Sequence, residues 1–184
     1  MDFDLPELAD RARRGDVAAF EALVGARLDR VLRLATAIVL DEAEAADVAQ
    51  ETFVAAWRRL PGLREPAGFD GWLTRIAVNE AKMALRARHR RRVREIPVDD
   101  AALAAAATGP AMAGAGAGAD TRRLASALGR LDADQRVLLA LHHLQGRDVA
   151  DLAATLGVPA GTVKSRLFAA RRALRAALDA EAAE

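Results

Sequence analysis

Apolar side chains recur at mixed three- and four-residue intervals along most of the chain; Phe20, Leu23, Leu28, Val31, Leu34, Ala35 and Ile38 form one such series. That interval gathers side chains on one face of a helix, and the alternation of a half-buried strand is absent. Asp41, with Glu44 three residues on, reads as the start of a second helix running through Val48, Phe53 and Trp57 and stopped by Leu60-Pro61-Gly62. A third stretch extends from about Phe69 to Val93 through Trp72, Ile76, Met83 and Leu85. Beyond it the pattern predicts a helix over 121–128, one opened by Asp132 with Gln135 and reaching Leu144, and two shorter ones over 149–156 and 162–178. The fold class is therefore all-α. Residues 101–120 interrupt the pattern: eleven Ala and four Gly, with no large apolar side chain beyond Leu103 and Met112, cannot build a core. Two small helical domains are expected, over 1–95 and 121–184, joined by a flexible Ala/Gly-rich linker over 96–120.

Composition narrows the chemistry. A length of 184 residues suits one or two small domains, and 46 Ala with only 4% aromatics favour thin helices in close contact. With no Cys there are no disulfides, thiolate nucleophiles or Cys-ligated metals, which fits a reducing, cytoplasmic setting. The longest strongly apolar run, Leu34 to Leu40, is far short of the roughly 18 residues a membrane span needs, and the acidic start is unlike a signal peptide. No membrane insertion is expected. Of the three His, His89 lies in a basic run, and the neighbours His142 and His143 point about 100° apart on a helix, so no metal site forms from them. Nucleophile elbows, phosphate-binding Gly loops and dinucleotide fingerprints are missing as well. The reading is of a binding protein with no catalytic residue, metal or cofactor.

The net charge of +1 averages over opposed patches. Residues 160–175 hold five basic residues and no acid, and they follow a short apolar helix and the turn Gly157-Val158-Pro159. A helix with Val149, Leu152, Ala153 and Leu156, a tight turn, and a second helix with Val163, Leu167 and Leu174 inward has the spacing of a helix-turn-helix. Pro159 suits the first turn of the second helix, where no amide donor is needed. The outward face carries Thr162, Lys164, Ser165, Arg166 and Arg171 and can enter a major groove. A second basic run, residues 82–94, has seven cations and no acid, and continues a helix bearing Phe69, Trp72, Arg75 and Asn79. Such flat and hydrogen-bonding groups hold unstacked bases, although Trp72 reads as core. In contrast, residues 41–51 carry five carboxylates and no cation; an exposed surface with Glu42, Asp47, Gln50 and Glu51 repels DNA and suggests a protein partner.

The order of these parts, DVAQETFVAAWRRL, then FDGWLTRIAVNEAKMALRARHRRR, then LDADQRVLLALHHLQGRDVADLAATLGVPAGTVKSRLFAARRALR, resembles bacterial sigma factors of the extracytoplasmic-function group. It covers about residues 18–95 and 121–178. The resemblance implies that Asp47, Gln50 and Glu51 dock on the clamp helices of the largest subunit of core RNA polymerase. It implies that the loop and helix from Arg64 through Phe69, Asp70, Arg75 and Asn79, with Lys82 and Arg86 beyond, melt the minus-ten element and hold a flipped base. It further implies that Thr162, Lys164, Ser165, Arg166, Phe168 and Arg171 read the minus-thirty-five element, that the second domain meets the polymerase flap, and that an anti-sigma protein holds the factor inactive. Ala169-Ala170-Arg171 stands where the family often has Arg-Ala-Arg, and Glu65-Pro66-Ala67-Gly68 in the base-capture loop carries few polar groups to select a base. Two other readings compete. A stand-alone helix-turn-helix regulator leaves the acidic helix unexplained, and a protein-binding adaptor leaves both basic helices incidental.

Overall fold

A computed structural model describes residues 4–95 and 118–183. Its helices are α1 (Leu5–Arg13), α2 (Val17–Val39), α3 (Glu42–Arg59), α4 (Phe69–Glu95), α5 (Ala119–Gly129), α6 (Ala133–His143), α7 (Val149–Leu156) and α8 (Ala160–Ala183), with short 3-10 turns at Leu60–Gly62 and Pro66–Gly68. No strand occurs among the described residues. The linker expected over 96–120 lies outside them except for its last three residues, and α5 starts at Ala119, inside that expected boundary.

Aspartate starts most of these helices. The carboxylates of Asp4, Asp16, Asp41, Asp132 and Asp148 each accept the backbone N–H three residues on, at 3.3, 3.0, 2.7, 2.7 and 2.8 Å. Each satisfies one of the donors a helix leaves unpaired at its start, and such a cap is worth about 1 kcal/mol. At Asp132 the box is complete, because Gln135 Oε1 accepts the Asp132 N–H at 3.1 Å. At Asp41 it is not: the Glu44 carboxylate turns away to accept from Arg88 on α4 at 2.9 Å. The end of α2 is unusual in that Leu40 takes the left-handed conformation, φ 59°, while its side chain is buried.

Helices α2, α3 and α4 pack on one another, with α1 laid across α2. In the second half α5, α6 and α7 all pack on α8. Large side chains such as Leu23, Leu34, Ile38, Phe69, Leu141 and Leu152 fill the interior, while Ala9, Ala45, Ala56, Ala81, Ala127 and Ala170 are fully buried. Alanine there lets helix backbones approach closely, which accounts for an alanine-rich, aromatic-poor chain that still buries a continuous apolar core. The two halves also meet. Helix α6 lies on α2 and α4, α7 touches α4, and the buried apolar residues form one continuous cluster.

Candidate nucleic-acid interface

The helix-turn-helix is built from α7 and α8. Gly157, at φ 66°, ends α7 in the left-handed region that glycine adopts without strain, and its N–H bonds the Ala153 carbonyl at 2.9 Å. Pro159 stands just ahead of α8, one position earlier than its expected place in the first turn, and its carbonyl accepts the Val163 N–H at 3.1 Å. Leu152, Val163, Leu167 and Ala170 are buried between the helices. This fixes what α8 turns outward: Lys164, Ser165, Arg166, Phe168 and Arg171 are exposed and Thr162 is half-buried. Phe168 is 63% exposed, and Arg172 lies over its ring with the guanidinium 6.0 Å from the centroid. That arrangement holds an apolar surface toward solvent where a thymine methyl can be touched. Arg175 is drawn off toward Asp179 at 3.5 Å, whereas Lys164, Arg166 and Arg171 have no ion-pair partner among the described residues.

The residues expected to meet a melted strand do not share one environment. Arg64, Arg75, Asn79 and Arg86 are exposed. Arg75, Asn79, Lys82 and Arg86 follow one another at intervals of four, three and four and so line one stripe of α4. Two of the seven sit elsewhere. Phe69, expected to offer a flat surface, is 1% exposed and packs with Trp72, the centroids 5.9 Å apart, so its ring belongs to the core. Asp70 is a clamp: Arg27 Nε donates to it at 2.7 Å and Arg30 at 3.2 Å, tying the start of α4 to α2. Lys82 reaches Asp134 of α6 at 2.6 Å.

On α3 the three expected residues are exposed but diverge. Asp47 and Glu51 line a cleft against α4 together with Glu80, Arg86 and Arg90. Gln50 lies on the other side, at the edge of an apolar groove of about 870 Å³ lined by Phe20, Val24, Leu28, Phe53 and Trp57. Trp57, read from the sequence as part of the buried side of α3, is instead 38% exposed, its ring tilted against Phe20 with centroids 4.8 Å apart, and Leu28 is 42% exposed. The sequence signal for this groove is an apolar stripe on α2 wider than one seam needs. Nothing in the periodicity separates a residue that closes a core from one that lines a docking groove. In the second half the exposed His143 is held below the usual histidine value, first by partial desolvation and then by the neighbouring His142 and Arg171 charges.

Comparison with known proteins agrees with this geometry. The family profile Sigma-70 region 2 matches residues 23–91, and that of Sigma-70, region 4 matches residues 121–174. Among curated relatives, the RNA polymerase sigma-H factor of Pseudomonas aeruginosa is 36% identical, covering 94% of this chain and 92% of its own. The ECF RNA polymerase sigma-E factor of Haemophilus influenzae is 34% identical, with 89% of each chain covered. Among solved structures, CnrH in complex with the cytosolic domain of CnrY superposes with a TM-score of 0.71 at 30% identity, covering 96% of this chain and 97% of that one. The sigma factor RpoE of Bartonella quintana, in complex with the anti-sigma factor NepR, gives 0.69 at 25% identity, covering 87% and 96%.

Proposed function

We propose, for a chain that belongs to the extracytoplasmic-function group of the sigma-70 family and works as an RNA polymerase sigma factor, a division of labour among four surfaces. Asp47, Gln50 and Glu51 on α3 dock on core polymerase. Their support is their exposure and an acidic character that a DNA-facing helix does not tolerate. Arg64 and the α4 stripe of Arg75, Asn79, Lys82 and Arg86 track the melted minus-ten strand, with their cations along the backbone and Asn79 toward a base. Extruding a base costs a few kcal/mol of stacking, which backbone and pocket contacts offset.

The outward face of α8 reads the minus-thirty-five element: Lys164, Arg166 and Arg171 reach phosphates and guanine edges, Ser165 is a smaller polar contact, and Phe168 offers the apolar one. Because one structural neighbour is a sigma factor in complex with an anti-sigma factor, the apolar groove of Phe20, Leu28 and Trp57 is assigned to an anti-sigma protein. The working domains run over 1–95 and 121–184, with 96–120 as connector; profile matches over 23–91 and 121–174 support this division. The chain acts by binding rather than catalysis, in the cytoplasm where polymerase is; no described helix is long and apolar enough to cross a membrane.

The single observation that carries the reading is that one chain combines an exposed acidic α3 surface, a polar and cationic α4 stripe and a helix-turn-helix. The stand-alone regulator accounts for only the last. The test is reconstitution: purified chain, core RNA polymerase and a pool of promoter fragments. Transcripts that depend on the chain and start at common upstream elements are expected. Absence of both transcripts and co-elution with polymerase refutes the reading.

A further inference from the structure

We infer that Arg172 stands at the centre of the DNA-facing side of α8 and reads a guanine there, while Phe168 beside it touches the 5-methyl group of a nearby thymine. The inference deepens the sigma-factor reading and rests on α8 entering a major groove.

The buried residues of α8 fix where its outward face is centred. Val163, Leu167 and Ala170 are at most 4% exposed. At about 100° per residue, the direction opposite their mean passes within about 10° of Arg172 and about 15° of Ser165, with Phe168 and Ala169 roughly 50° to either side. Lys164 and Arg171 lie about 90° and 110° away on one flank, and Arg166 about 110° away on the other. A helix roughly 10–12 Å across fills a major groove about 12 Å wide, so its flanks face the two phosphate walls and its centre line faces the base edges. Lys164, Arg166 and Arg171 are therefore placed for phosphates, and Arg172 is placed for a base.

The conformation of Arg172 suits that task. A helical side chain leads back toward the helix start, and the Arg172 guanidinium lies over the Phe168 ring, 6.0 Å from its centroid and one turn earlier than its own backbone. Ala169, exposed on the same side, has only a methyl group and leaves that part of the face open. Asp179, which lines a shallow depression together with Arg172, is paired with Arg175 at 3.5 Å, and no carboxylate pairs with Arg172 among the described residues. A guanidinium resting on a ring face keeps its N–H edge free, and that planar fork matches O6 and N7 of guanine. The ring meets a thymine methyl. Base pairs rise about 3.4 Å each, so groups 6.0 Å apart address bases no more than two steps apart.

Selection with the intact assembly tests this. Core polymerase loaded with the full chain is presented with promoter-length duplexes randomised upstream, and the bound fragments are sequenced. The enriched upstream element is expected to hold a guanine and a thymine within two steps of each other. Arg172→Ala is expected to lower the enrichment of that guanine roughly tenfold and to leave the other positions as they are. Arg172→Lys keeps the charge and loses the fork; it is expected to lose the guanine preference equally, with an unchanged dependence of affinity on salt. Phe168→Ala is expected to remove the thymine preference alone.

Altered bases in the selected duplex supply the second arm. Substituting 7-deazaguanine removes the N7 acceptor and is expected to weaken binding of the unaltered chain but not of Arg172→Ala; uracil in place of thymine is expected to act likewise through Phe168. A guanine preference that survives in Arg172→Ala, with native circular dichroism, overturns the inference. So does a loss spread evenly over all sequences with a salt slope lower by about 0.9, which is the behaviour of a phosphate contact. If the unaltered chain neither binds polymerase nor enriches an element, the sigma-factor reading itself fails and takes this inference with it; an enriched element indifferent to Arg172 overturns this inference alone.

Discussion

Replacing Lys164, Arg166 and Arg171 together by Ala gives a measurement that needs no knowledge of the promoter. All three cations project from α8 with no ion-pair partner among the described residues, so each is available to a phosphate. Each phosphate neutralised contributes about 0.9 to the slope of log affinity against log salt; three contribute about 2.7. Between about 50 and 200 mM salt, a fourfold change, that slope amounts to a roughly 40-fold loss of affinity which the triple variant no longer shows. The assay is fluorescence anisotropy of the purified chain on a random duplex over that salt range. Arg175→Ala is the internal control: its guanidinium is already paired with the Asp179 carboxylate at 3.5 Å, so its slope change is expected to be below about 0.9. If the triple variant lowers the slope by less than Arg175→Ala does, the outward face of α8 is not the DNA face and the helix-turn-helix assignment fails.

Reversing Asp47 and Glu51 to Lys is expected to weaken association with core polymerase while leaving the thermal midpoint nearly unchanged, since both side chains are exposed; a variant that competes normally for core refutes the α3 assignment. Asp132→Ala removes the carboxylate that accepts the Gln135 N–H at the start of α6, leaving the residue 132 N–H to Gln135 Oε1, and is expected to cost about 1 kcal/mol, read as a lower urea midpoint at constant m. Leu28→Asp is expected to abolish capture by an anti-sigma protein at a small stability cost, because Leu28 is already 42% exposed; unimpaired capture refutes the groove assignment. Because the folded chain holds His143 below its ordinary 6.5, the unfolded chain binds more protons in the window just under that value. Stability is therefore expected to fall as pH drops through about 6.5, and His143→Gln to flatten that part of the profile; an unchanged profile refutes the attribution.

Most of the helices were legible because their signals are local. The apolar interval on α2, the Asp41 and Asp132 caps, the Leu60-Pro61-Gly62 break and the Gly157 turn each need only a few neighbouring residues to read. Helix α1 was not, since its buried positions are Ala9 and Ala12, which carry little hydrophobic contrast. Glu44 was expected to close a box with Asp41 and instead joins Arg88, 44 residues away; a long-range partner outcompetes a local one without leaving a mark on the pattern. The same holds for the site. Lys164 and Arg166 were placed by periodicity alone and Phe168 by the family resemblance, whereas the burial of Phe69, the Arg27–Asp70 clamp and the Lys82–Asp134 pair depend on which helix faces meet. Polar residues such as Gln145 and Arg147 look like an ordinary solvated turn until another surface is brought against them.

The alanines at 0% exposure give the chain a distinctive genetic behaviour. A fully buried leucine fails by truncation, as a cavity opens; Ala9, Ala45, Ala56, Ala81, Ala127 and Ala170 can fail by growth, where a single added branch wedges two helices apart. Such overpacking typically costs 1–3 kcal/mol, a large fraction of a small domain's margin but short of all of it. Alanine codons at these crossings are accordingly where a screen for temperature-sensitive alleles would concentrate, with every contact to DNA and polymerase still encoded.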